Sequence, residues 1–138
     1  MATINLDTAA RLDIVCRKGD SFDLKIDFGV AIDSNADNWK MEIAADDRST
    51  AELTISDDYT ASGGDYSGFT VESNADGLAN SQLRVRISST DMATLDGGMY
   101  VYDIQRDSNN SGTGDGGGIV QTYVYGTLLV NEDITTPN

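Results

Sequence analysis

Leu95-Asp96-Gly97-Gly98-Met99-Tyr100-Val101-Tyr102-Asp103-Ile104-Gln105 is the stretch whose reading decides the fold. Its glycine pair opens a run in which aromatic and branched side chains alternate with others, the period of an extended strand. Upstream, Leu83-Arg84-Val85-Arg86-Ile87 alternates apolar and charged residues and runs into the turn Ser88-Ser89-Thr90-Asp91. Downstream, a glycine-rich loop leads to a second β-rich run from Ile119 to Val130. These read as the last three strands of an antiparallel sheet protein.

The rest of the chain carries the same signal. Ser21-Phe22-Asp23-Leu24-Lys25-Ile26-Asp27-Phe28 places Phe22, Leu24, Ile26 and Phe28 on one face, and Asp23, Lys25 and Asp27 on the other. One face is then core and the other wet, as in an antiparallel sheet. A slip of one residue would bury three charges, so the register is strongly specified. Arg11 to Lys18 reads as the strand before it, and Trp39-Lys40-Met41-Glu42-Ile43 as the strand after, with Trp39, Met41 and Ile43 inward. Ala51 to Ser56 and Ser67 to Glu72 are weaker strands. No stretch sustains helical spacing; Thr90 to Leu95 makes at most one helical turn. Short strands with turn signals between them point to a sandwich.

The segment Asp96-x-Gly98-x-Tyr100-x-Tyr102 resembles the signature at the tyrosine corner of immunoglobulin domains, with Tyr102 where those domains carry a cysteine. The resemblance implies a buried Tyr100 whose hydroxyl bonds back to the preceding loop. It also sets parity: Tyr100, Tyr102 and Ile104 inward; Met99, Val101, Asp103 and Gln105 outward. Without the cysteine pair the core is held by packing alone. The expected fold is an all-β, immunoglobulin-like antiparallel β-sandwich of about seven to eight strands. Residues 1–10 form an arm, 11–135 the sandwich and 136–138 a tail.

Composition narrows the function. The 138 residues suit one domain, and 23 acidic against nine basic residues give a net charge of −14, which repels phosphate backbones and anionic lipid. Neither nucleic acid nor membrane is therefore an expected partner. The first residues lack the charged-then-apolar layout of a signal peptide, so ordinary secretory export is not expected. Histidine is absent and Cys16 is the single cysteine, beside β-branched residues. It reads as a small apolar side chain rather than a nucleophile, because no histidine is there to activate it. Zinc lacks its usual ligands. Asp33-x-Asn35-x-Asp37 and Asp107-x-Asn109-x-Ser111-Gly112 resemble the first half of a calcium loop, but Ala44 and Gly118 stand where the closing glutamate belongs. No metal, cofactor or catalytic residue is expected. Carboxylate pairs such as Asp46-Asp47 and Asp57-Asp58 read as solvated charge.

The closing strand is apolar on both sides. Val120, Val124, Leu128 and Val130 share one face; Ile119, Tyr123, Tyr125 and Leu129 share the other. With the first set in the core, the second joins Met99 and Val101 in an exposed stripe. Such a stripe either contacts another protein or is covered by the chain's own arm or loops. In the arm, Ile4 and Leu6 fall on one side, as a strand added to a neighbour's sheet edge would need. These eight residues are the candidate protein interface.

Arg17-Lys18-Gly19-Asp20-Ser21-Phe22-Asp23-Leu24, Gly98 to Gln105 and the close from Gly126 to Thr135 are similar to the opening, the penultimate strand and the end of small bacteriophage structural proteins. The resemblance is to N-terminal domains of phage baseplate upper proteins and to virion proteins of marine phages. It implies a non-enzymatic virion part: a tail, baseplate or fibre-attachment component, or a head decoration protein. Its partners would be other virion proteins, with self-association in multiple copies, and it would be made in the host cytoplasm and carried in the virion. The alternative is a carbohydrate-binding or adhesion module stacking sugars on Trp39, Tyr59 or Tyr66, which requires exposed rings. Trp39 is expected to be buried.

Overall fold

The computed structural model describes residues 9–32, 34, 38–46, 50–56, 67–107 and 120–132. Within them run β1 (Ala10–Arg11), β2 (Ile14–Arg17), β3 (Phe22–Asp27), β4 (Trp39–Ala44), β5 (Leu53–Ile55), β6 (Gly68–Glu72), β7 (Gln82–Ile87), α1 (Ser89–Met92), β8 (Gly98–Asp107) and β9 (Val120–Asn131). A six-stranded sheet in the order β1-β9-β8-β4-β5, with β2 also on β9, faces a three-stranded sheet in the order β3-β7-β6. This is an all-β sandwich with the immunoglobulin-like strand order.

Side-chain parity builds the smaller sheet. Phe22, Leu24 and Ile26 lie opposite Ile87, Val85 and Leu83, so every inward residue of β3 meets an inward residue of β7. On the outer side Arg84 grips Asp23 with two bonds, Nε to Oδ1 at 2.9 Å and a terminal nitrogen to Oδ2 at 2.6 Å. That guanidinium holds the Asp23 carboxyl below the usual carboxylate range. In the larger sheet Met41 and Ile43 pair with Ile104 and Tyr102, and all four are buried. Met92 and Leu95, in and just after α1, are fully buried. Ser88 caps that short helix by accepting a bond from the Asp91 N–H.

Two expectations need correction. The strand read over Arg11 to Lys18 is two short strands, and both run parallel to β9. Nine strands are thus described, and the sandwich is not purely antiparallel. Between β1 and β2 the ladder is carried differently: the Leu12 N–H donates to the Tyr125 carbonyl at 2.9 Å, and Asp13 Oδ1 accepts from the Thr127 N–H at 3.1 Å. That backbone donor is the main cause of the lowered Asp13 pKa. The crossing is close. A Cβ on Gly126 would sit 2.2 Å from the Leu12 carbonyl oxygen, so only glycine fits there.

The second correction concerns β9. Its register against β8 shifts between Ile104 and Gln105, which pair with Val124 and Thr122 and leave Tyr123 as the extra residue of a bulge. Strict alternation therefore fails on this strand. Tyr123 turns inward with Val124, and Val120 comes out 59% exposed on the opposite side from the core.

Candidate functional site

The two outer faces of the sandwich differ in chemistry. On the smaller sheet the outward positions include Asp23, Lys25, Arg84, Arg86 and Glu72, a charged set in which Arg84 pairs with both Asp23 and Glu72. On the larger sheet the outward positions form rows across the strands. Val15, Leu129 and Met99 make the first row; Thr127, Val101 and Ala44 the second; Arg11, Tyr125, Asp103, Glu42 and Thr54 the third. Val15 is 67% exposed, Met99 57% and Tyr125 37%. Val101 and Leu129 are partly buried between them.

Four residues expected in the stripe are thus brought together: Met99, Val101, Tyr125 and Leu129. Tyr123 is not among them. Its ring centroid lies 4.9 Å from that of Trp39 and 5.6 Å from that of Phe28, both edge-on, and it packs against the core. The bulge is the physical reason. Ile4, Leu6 and Ile119 lie outside the described residues, as do Asp33, Asn35, Asp37, Asn109, Ser111, Gly112, Tyr59 and Tyr66. Val15 went unnoticed in the sequence, although the inward pull of Ile14 and Cys16 already implied it. Burial, and then Asp20, raises the Cys16 thiol pKa, in keeping with an inert side chain.

A shallow groove of about 390 Å³ lies across the third row, lined among others by Arg11, Glu42, Asp46, Val101, Asp103 and Tyr125. Glu42 and Asp103 are direct cross-strand partners, a like-charge pairing that costs the sheet stability. Burial, then the Glu42 charge, pushes the Asp103 carboxyl above its ordinary pKa; Lys40 and a bond from Gln105 act against this. Lys40 Nζ sits 3.0 Å from Glu42 Oε1. Arg11 Nε is directed at Asp13 Oδ1, 3.3 Å away. Among the described residues no group of three or more cysteine, aspartate or glutamate side chains is arranged to hold a metal ion.

Trp39 has no solvent exposure, which removes it as a stacking platform for sugars. No helix among the described residues is long and apolar enough to cross a membrane. No protein-family model matches the chain, and no curated protein matches it.

Proposed function

We propose that this chain is a non-enzymatic structural protein of a bacteriophage virion that works through protein contacts on the outer face of its six-stranded sheet. The reading assigns it to a tail, baseplate or fibre-attachment part or to head decoration. One observation carries the contact surface: apolar Val15, Met99, Leu129, Val101 and Tyr125 adjoin one another on that face, whereas the other sheet turns paired charges outward. An apolar patch held on well-paired strands is pre-organised for docking. The virion assignment is supported by the motif resemblance and by an acidity that keeps the chain away from packaged nucleic acid.

Tyr125→Asp tests the surface. It is expected to leave the melting temperature within about 2 °C, as surface substitutions do, while abolishing incorporation of the labelled chain into phage particles seen by electron microscopy. Absence of the wild-type chain from particles would remove the virion reading. A second reading, sugar binding, is favoured by Tyr125 standing beside a groove walled by Glu42 and Asp103, since sugars pair a stacked ring with hydroxyl acceptors. A glycan array would separate the two.

A further inference from the structure

We propose that the groove on the six-stranded sheet seats an arginine or lysine side chain carried on an otherwise apolar segment of a different protein. The cation would lie between Glu42 and Asp103, and its apolar neighbours on Val101 and Tyr125. This rests on the contact surface described above and names the chemistry of its partner. The third row sets two carboxylates directly opposite each other on neighbouring strands, with the Tyr125 ring next along the row and Val101 in the row beside it. Sheets avoid such pairs because each charge raises the cost of the other. A local conflict of this kind is expected at functional or strained sites.

Among the described residues no lysine or arginine makes an ion pair with Asp103. Lys40 reaches Glu42 from one side, and Arg11 is directed at Asp13. Asp103 receives Gln105 Nε2 at 3.4 Å, a long and weak bond from a neutral amide. A guanidinium fork fits this gap, because it donates to two carboxylates at once and stacks on a tyrosine ring. At low salt a second copy does not fit the groove. Face to face, it would press the same acidic pair against its twin, on chains that each carry −14.

The test titrates the full ¹⁵N-labelled chain with the peptide acetyl-Val-Arg-Val-Arg-Val-amide at low salt, with its glutamate counterpart as control. Saturable shifts confined to amides around Val101–Asp103 and Tyr125–Thr127 are expected, and none with the glutamate peptide. Glu42→Gln with Asp103→Asn should weaken binding about tenfold, whereas the charge-matched change Asp20→Asn with Asp76→Asn, away from the groove, should leave it within about twofold. Equal loss in both variants, shifts scattered over the acidic surface, or no shift at millimolar peptide would overturn the inference. So would a neutral oligosaccharide that shifts these amides where the arginine peptide does not. If the peptide fails while Tyr125→Asp still blocks particle incorporation, only the cationic partner is wrong. If incorporation survives Tyr125→Asp, the contact surface itself is wrong.

Discussion

Two tyrosines on β8 tie the sandwich together through backbone carbonyls. Tyr100 donates to the Asp96 carbonyl at 2.6 Å, and Tyr102 to the Leu12 carbonyl at 2.5 Å. Tyr100→Phe keeps the packing and removes one net hydrogen bond, so a loss of ~1 kcal/mol is expected, read as a fall of about 4 °C in a thermal melt. Burial, with a smaller push from Asp13, raises the Tyr102 pKa to about 12, above the 10.0 of an ordinary tyrosine. The folded state therefore holds this proton at a pH where the unfolded chain has released it. Stability tied to Tyr102 is intact below pH 10 and lost as pH rises from there towards 12. Urea titrations across that window should fall less steeply for Tyr102→Phe than for the native chain; parallel curves would refute the assignment. The Tyr100 bond was legible because its acceptor lies four residues back inside a recognisable motif. The Tyr102 bond was not, because its acceptor is 90 residues away and no spacing carries such a contact.

At the scale of the element, β9 shows how a strand can defeat its own pattern. Alternation from Ile119 onward puts Tyr123 with Tyr125, and a single extra residue opposite Ile104 and Gln105 reverses that. Nothing in the local composition marks the bulge; the aromatic cluster of Phe28, Trp39 and Tyr123 rewards it from elements far apart in sequence. Tyr123→Ala is accordingly expected to cost about 2–3 kcal/mol in urea unfolding and to shift Trp39 emission to the red. Unchanged stability would return Tyr123 to the surface stripe. By contrast β3 and β8 were legible at once, since their inward residues follow strict parity without interruption. The parallel placement of β1 and β2 was not legible, because it depends on Asp13 standing in as an acceptor and on the empty side of Gly126. Gly126→Ala should loosen this crossing: faster amide exchange at Leu12 and Thr127 is expected, with a stability loss of about 1–3 kcal/mol from the forced backbone shift.

Over the whole molecule, the charge of −14 and the apolar residues on the outer face of the larger sheet act against each other. The apolar rows favour contact, while long-range repulsion keeps copies apart until salt screens it. Between copies, association should therefore be least near 0.01 M salt, where the Debye length is about 30 Å, and grow as that length shrinks. Attachment to a cationic partner should do the reverse, strengthening at low salt and fading as ions compete. Light scattering of the purified chain through a salt series, run beside the arginine-peptide titration, reads both slopes on the same protein. Opposite signs are expected, with Tyr125→Asp flattening both, because a single face serves each contact. Oligomers that form at low salt and dissolve on adding it would mean that copies meet through complementary charges elsewhere on the surface, and the outer face of the six-stranded sheet would then have no part in assembly.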